Sequence, residues 1–354
     1  MKSKINFFKK NKFLAIDEFF RRVLYDRKIG YYTSKNPLGA AGDFLTAPDI
    51  SKLFSEMIAI WIISTWEFFD KPKKLNIIEL GPGDGGLMKI ILDVFKNFPE
   101  INSAKKIYLY ETSEYLEKKQ KINLKNYRVK WIKNFSSIKK GPVIFFGNEF
   151  FDAIPIKQFK KNKNLFFEKH FTLENNYRLK ECFKKASTKD TETIKSFKTL
   201  KKLKFIEFPK LGFEELEKVT KLICKLKGCI LLVDYGYLVP NNQNTLQSVF
   251  KHKKNPLLNN LGKADITSHV NFSLLNEFFV KNNLQVKKTV TQKEFLEKMG
   301  IIERAEIIAR KMKFNEKSNL YLRLKRLLSP NLMGELFKVN LAYKFKNNKY
   351  FGFK

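Results

Sequence analysis

The chain has 354 residues, 44% of them apolar, and its 69 Lys and Arg against 35 Asp and Glu leave a net charge of +34; that length and apolar share support one large globular domain or two moderate ones and exclude a chain without a core. The densest apolar run, Met57 to Ser64, is too short to cross a bilayer, and the N-terminal lysines precede no apolar core with a small-residue cleavage site, so neither a span nor a leader is expected. Lysine greatly outnumbers arginine and is spread along the chain, which marks a solvated surface more than a nucleic-acid footprint and leaves an RNA or acidic partner open.

Apolar and charged positions alternate at helical spacing from Ile16 to Asp26, and Gly30-Tyr31-Tyr32 ends that element. Asn36 to Pro48 is rich in small and turn-forming residues and reads as an ordered or closable surface loop. Thr46-Ala47-Pro48-Asp49 is a capped helix start. The helix it opens carries Leu53, Met57 and Trp61 on one ridge with Phe54, Ile58 and Ile62 beside it, the pattern of a largely buried helix. Strand and helix then alternate: strand Leu75 to Leu80, helix Leu87 to Phe95, strand Ile107 to Glu111, helix Ser113 to Lys121, a short strand Arg128 to Trp131, and strand Val143 to Gly147, apolar throughout as central parallel strands are.

An excursion from Ile156 to about Lys204 follows, with period-two spacing at Leu165 to Phe171 and a poorly patterned, Lys-rich part near Lys184 to Lys204. Helical spacing returns at Phe213 to Lys225, and Ile230 to Gly236 is a fifth strand. A long loop rich in Asn and Lys leads to Ala264 to Val270. Two or three helices fill Ser273 to about Leu328, and Leu336 to Tyr343 returns as a late strand. The alternation predicts a doubly wound α/β (Rossmann-like) sheet. Its expected division is an N-terminal helical and loop segment over residues 1–70 that covers the active site, a core of 71–155 and 205–354, and an inserted accessory segment of 156–204. Cys182, Cys224 and Cys229 have no C-x-x-C spacing, which predicts free thiols in a reducing compartment and no metal framework.

The chemistry is carried by acids at strand ends. Ile77 to Gly86 is an apolar strand ending in Glu79, followed by a glycine-rich turn, Gly81-Pro82-Gly83-Asp84-Gly85-Gly86. Gly81, Gly83 and Gly86 satisfy G-x-G-x-x-G, a pattern shared by dinucleotide and S-adenosylmethionine (SAM) sites. Glu111 ends the next strand, where a carboxylate can accept both ribose hydroxyls of either ligand. Glu79 and Asp84, framing the turn, disfavour a pyrophosphate and favour a sulfonium and an ammonium, so SAM is preferred over NAD. Glu149 with Asp152, and Asp234, end two further strands, and the set is expected to converge into an acidic pocket at the carboxyl edge of the sheet.

Several blocks together resemble one family: Gly30-Tyr31-Tyr32, Gly42 to Pro48, Glu79-Leu80-Gly81-Pro82-Gly83, Glu111-Thr112-Ser113, Asn148 to Pro155, Asp234-Tyr235-Gly236, Ala264 to Val270 and Thr291-Gln292. From about Gly30 to Val339 the chain is similar to the MidA-like class I methyltransferases, a family that includes a mitochondrial arginine methyltransferase of respiratory complex I assembly. The resemblance implies a seven-stranded class I methyltransferase fold and SAM as cofactor, held at Glu79, Gly81, Gly83, Gly85 and Glu111. It implies an acceptor side bordered by Asp43 to Pro48 and Asn148 to Asp152, and a protein substrate bearing an arginine, such as a complex I subunit. It places the chain in the bacterial cytoplasm, or in the mitochondrial matrix if the chain is eukaryotic. Asp84 stands where the family usually has Arg, and Asn271 where it usually has Asp, which weakens a substrate-orienting cation at 84 and a base at 271.

Methyl transfer from a sulfonium demands mainly alignment of the nucleophile. Glu149 and Asp152 are therefore expected to grip a guanidinium and leave one nitrogen to attack, and His269 to take the departing proton. RNA methylation, NAD-dependent oxidoreduction and a SAM-binding assembly chaperone without catalysis stay open at this point.

Overall fold

The computed structural model describes residues 8, 12–34, 46–174, 178–345 and 349–353. They fall into two compact units, one of Leu45–Phe150, Lys218–Gly236 and Phe279–Lys354, the other of Met1–Phe44, Phe151–Glu217 and Tyr237–Phe278.

The first unit is built on a sheet of strands β1 (Leu75–Leu80), β2 (Lys105–Tyr110), β3 (Val129–Ile132), β4 (Val143–Asn148), β5 (Gly228–Tyr237), β6 (Gln285–Val286) and β7 (Phe337–Lys344), in spatial order 6-7-5-4-1-2-3. Strands β1 to β5 are parallel, β7 joins β5 antiparallel, and β6 joins β7 antiparallel. All six residues of β1 are buried, because β2 and β4 flank it and both faces are covered. That is why apolar residues on both faces, broken only by Asn76 and Glu79, mark it in the sequence in place of strict alternation. Side chains still alternate between faces. Leu75 and Ile77 of β1, Ile107 and Leu109 of β2, Ile144 and Phe146 of β4, and Leu231 and Val233 of β5 share one apolar core with helices Lys52–Phe68 and Gly86–Phe95. Strand order reverses between β1 and β4, the position where open α/β sheets take ligands at their carboxyl ends.

The second unit is antiparallel. Phe13–Ala15, Leu165–Leu173, Lys157–Asn162 and Phe205–Phe208 pair in that order, with Leu179–Lys185 also on Leu165–Leu173. Helix Ile16–Tyr25 packs Phe19 and Phe20 onto Phe171, at ring separations of 4.9 and 5.9 Å.

All six predicted strands of the main sheet form, five of them parallel, and four differences have identifiable causes. Helix Lys52–Phe68 is in the core of the parallel sheet, not in a separate N-terminal segment, since Leu53, Met57 and Trp61 pack with Ile77 and Phe146. Thr46 does cap a helix start, with Asp49 accepting its N–H at 3.2 Å, but that helix is a single turn, Ala47–Ile50, and extended Ser51 (φ −153°) begins the long helix by accepting the Leu53 N–H at 3.3 Å. Residues 151–155, 205–217 and 237–278, expected in the core, belong to the second unit, where Leu261 and Ile266 join the apolar cluster of helix Ile16–Tyr25. The Asn- and Lys-rich segment expected as a loop forms a three-stranded sheet of Gln247–Phe250, Lys253–Asn255 and Asp265–Thr267. Its hairpin turns at Lys251 (φ 51°) and His252 (φ 60°), left-handed residues that carry none of the Asn-Gly or Gly signals of such turns.

A buried ion cluster holds the second unit. Lys157 Nζ contacts Glu168 and lies 3.5 Å from Asp17 and 3.9 Å from Asp190, and Lys210 reaches Asp190 at 2.8 Å. Burial opposes the charge on Lys157, but the three carboxylates prevail and raise its pKa. Lys157→Met removes the central cation and is expected to destabilise this unit by about 3–5 kcal/mol. Urea unfolding of the purified variant measures it, and a loss below about 1 kcal/mol would mean that the cluster is dispensable.

Candidate functional site

The glycine turn begins where β1 ends. Gly81 has φ 62° and Gly83 has φ 56°, left-handed values that L side chains rarely adopt. The Gly81 N–H donates to the Tyr110 carbonyl at 3.1 Å, which ties the turn to the end of β2. A Cβ at Gly81 would stand 3.0 Å from Phe150 Cδ2, so the turn also closes onto the segment after β4. Asp84, one of the two acids expected to frame a ligand, is engaged locally. Its Oδ1 accepts the Gly86 N–H at 2.8 Å at the start of helix Gly86–Phe95, and its carbonyl accepts from Asn123 Nδ2 at 2.9 Å. Gly85 aims its missing Cβ at Leu124 Cδ1 (3.2 Å) and Gln120 Cγ (3.5 Å), so its smallness lets the following helix, Glu114–Asn123, pack close.

Glu79 is 2% exposed, and its Oε2 is buried without a hydrogen-bond partner. Burial, followed by the charges of Asp84 and Glu111, pushes its pKa up to about 8. Glu111 ends β2 on the same face, two residues beyond Leu109, which pairs with Glu79. Its Oε1 accepts the Ser113 N–H at 2.7 Å and its Oε2 accepts from Gln120 Nε2 at 3.0 Å. Burial raises the Glu111 pKa, and those hydrogen bonds oppose the rise.

Gln120 was not singled out from the sequence, yet it joins the two halves of this pocket. Its Nε2 also donates to the Gly83 carbonyl at 2.7 Å, and its Oε1 accepts from Trp131 Nε1 at 2.9 Å. The available signal was positional: Gln120 lies one helical turn after buried Leu116, a polar residue on the inward ridge of an otherwise charged helix.

The strand-end acids do not all converge. Asp234 follows Val233, which pairs with Asn148, so parity turns its side chain to the face opposite Glu79 and Glu111. There it sits opposite Lys338 of β7, with Oδ1 accepting the Tyr235 N–H at 3.0 Å.

Glu149 immediately follows β4 and has φ 51°, a conformation that non-glycine residues hold mainly where surrounding contacts impose it. Its N–H donates to the Val233 carbonyl at 2.9 Å, and Asn148 Nδ2 donates to its Oε1 at 3.1 Å. Asp152 and His269 belong to the second unit. The Asp152 carbonyl accepts the Ser268 N–H at 3.2 Å, which brings the two segments together. The His269 N–H donates to Thr245 Oγ1 at 3.0 Å, and that hydroxyl donates to Glu207 Oε2 at 2.5 Å. Burial lowers the His269 pKa, favouring the neutral ring. His269, Glu207, Tyr237 and Phe213 border a cavity of about 20 Å³, room for about one water. Asn271 caps helix Phe272–Lys281 by accepting the Leu274 N–H at 3.1 Å. Asp43 lies outside the described residues.

Because its folded pKa is raised above that of the unfolded chain, Glu79 supports the fold fully below about pH 4.5 and loses that support as pH rises through about 8. Glu79→Gln is therefore expected to leave stability nearly unchanged at pH 4 and to raise it by about 2–4 kcal/mol at pH 9. Denaturant unfolding at the two pH values is the check; equal effects at both would contradict a buried, proton-holding Glu79.

A family profile described as "Putative S-adenosyl-L-methionine-dependent methyltransferase" matches residues 57–290. Curated relatives include "Protein arginine methyltransferase NDUFAF7, mitochondrial" of Danio rerio, 28% identical over 350 residues that span 92% of this chain and 82% of the relative. The protein of the same name in Homo sapiens is 27% identical over 353 residues, spanning 92% and 78%. Among solved structures, a Burkholderia thailandensis protein bound to S-adenosyl-homocysteine superposes with a TM-score of 0.81, covering 99% of this chain and 92% of that one at 20% identity, a likeness of fold. No helix among the described residues is long and apolar enough to cross a membrane. With the profile spanning well over half of the chain and the strand order 6-7-5-4-1-2-3 beneath it, the chain belongs to this family and is an S-adenosyl-L-methionine-dependent methyltransferase.

Proposed function

We propose that the chain is a protein arginine N-methyltransferase whose target is a subunit of respiratory complex I or a partner in its assembly. Relatives named for arginine methylation over more than nine-tenths of the chain support the acceptor class. The observation that carries the donor side is Glu79 Oε2, a buried acceptor without a partner beside the glycine turn. The donor brings a sulfonium and an ammonium, and when bound it supplies an electrophilic methyl group. Glu79, Gly81, Gly83 and Glu111 are the residues that fit it, with Gln120 fixing the Glu111 carboxylate and the Gly83 carbonyl. A dinucleotide fits less well, since its pyrophosphate meets the acids Glu79, Asp84 and Glu111, with Lys133 beside Glu111 as the nearby cation.

An arginine guanidinium is protonated in water, and a carboxylate that takes two of its N–H groups leaves the third nitrogen to attack. Glu149 is assigned that grip, held by Asn148 Nδ2 and by a backbone conformation fixed through Val233. Asp43, Asp152 and His269 are assigned to acceptor chemistry, with the neutral His269 ring able to accept the proton that methylated guanidinium sheds.

Two experiments test this. Incubation with methyl-labelled SAM and a cell extract is expected to label a protein at arginine, identified by mass spectrometry, and Glu149→Gln to cut the label at least about tenfold with donor affinity held within about twofold. Label appearing only in RNA, or a Glu149→Gln enzyme of full activity, would dismiss the respective half of the proposal. Donor affinity is also expected to rise with pH below about 8, by up to tenfold per unit as Glu79 gives up its proton, and to level off above. Calorimetry in two buffers of different ionisation enthalpy reads the proton released; an affinity flat from pH 6 to 8 removes Glu79 from contact with the cation.

A further inference from the structure

We infer that Asn148 holds the amino group of the methyl donor through its side-chain carbonyl oxygen; this rests on the donor reading proposed above. Asn148 is the last residue of β4, two positions beyond Phe146, which pairs with Glu79 of β1. Alternation puts Asn148, Glu79 and Glu111 on one face of the sheet, at the ends of three adjacent strands. Asn148 Nδ2 is spent on Glu149 Oε1 at 3.1 Å, and this bond determines which end of the amide is left over. The end left over is Oδ1, buried and without a hydrogen-bond partner, as is Glu79 Oε2 on the neighbouring strand. A buried polar atom in that condition costs about 1–3 kcal/mol unless a ligand satisfies it.

The chemistry of the missing partner follows from what each atom can do. Asn148 Oδ1 only accepts, so the ligand group there must donate. Glu111, at the end of β2 on the other flank of β1, matches the paired ribose hydroxyls. What remains of the donor molecule for the β4 side is its amino-acid end, where the carboxylate only accepts and the ammonium carries three N–H groups. One ammonium can serve Glu79 Oε2 and Asn148 Oδ1 together. Asn148 is thus a binding residue of the donor site and tells an amino-acid-bearing nucleoside from a bare one.

The test titrates the intact protein with S-adenosylhomocysteine and with 5′-methylthioadenosine, which keeps the adenosine and the sulfur but lacks the amino-acid end. Asn148→Ala is expected to weaken S-adenosylhomocysteine about 10- to 50-fold and methylthioadenosine by less than about twofold. Asn148→Asp, which keeps an acceptor at the same place, is expected to retain the preference for the amino-acid-bearing ligand. Should Asn148→Ala not fold, S-adenosylhomocysteine without its amino group serves against the wild-type protein, where an affinity loss below about twofold would overturn the inference. It is equally overturned if Asn148→Ala weakens both ligands alike, weakens neither, or changes only the KM for the methyl acceptor. Wild-type protein that takes up neither ligand brings down the donor reading and this assignment with it, whereas normal wild-type uptake with an indiscriminate variant brings down the assignment alone.

Discussion

The structure turns on a carboxylate placed where water cannot reach it. β1 is hydrogen-bonded on both edges and packed on both faces, so its fifth residue, Glu79, is desolvated by construction. Leaving an acid there costs free energy, and the protein limits that cost by holding a proton on it up to about pH 8. A leucine at this place would make a more stable sheet. The site accepts local instability because the same desolvation that penalises the bare acid strengthens its attraction for a cation once one arrives.

The surrounding residues follow from the need to bring a ligand against that acid without filling the space. Gly81 turns the backbone away in a left-handed conformation and leaves the volume a Cβ would take beside Phe150. Gln120, fully buried, spends its amide on the Gly83 carbonyl, Glu111 and Trp131, so the turn after β1 and the acid after β2 move as one piece. Asp84 spends Oδ1 on the Gly86 N–H, and its charge acts on Glu79 through space.

How much of this was legible in the sequence depends on whether the signal is local. The parallel strands were, because a strand covered on both faces is mostly apolar, and so was the turn, because the left-handed backbones at Gly81 and Gly83 favour glycine. The strand-end acids were visible, but their directions were not: Glu79 and Glu111 lie on one face and Asp234 on the other because of pairing register, which depends on contacts between strands far apart in the chain. Gln120 was hidden for the same reason, since its importance lies in partners 9 and 37 residues away. The chain's division was misjudged at residues 45–70, 151–155, 205–217 and 237–278 because membership of a core is a tertiary property. The hairpin at Lys251 and His252 escaped because two ordinary residues adopt left-handed backbones there without a glycine or asparagine to announce them.

A net charge of +34 raises the question of why a cationic donor should bind at all. Distance and dielectric resolve it. At physiological salt the field of an exposed lysine decays over about 8 Å, so the many surface lysines act on a ligand mainly during its approach. Inside the pocket, a carboxylate and an ammonium about 4 Å apart in a medium of effective dielectric near 20 attract by about 4 kcal/mol, against about 1 kcal/mol for the same pair in water. The buried acid therefore decides what stays, and the lysine surface decides what is drawn in. A donor whose two positive groups are partly balanced by its own carboxylate pays little to cross that surface, whereas a strongly anionic partner is gathered to it. The charge of the chain and the charge of its pocket thus have opposite signs because they act at different distances on different molecules.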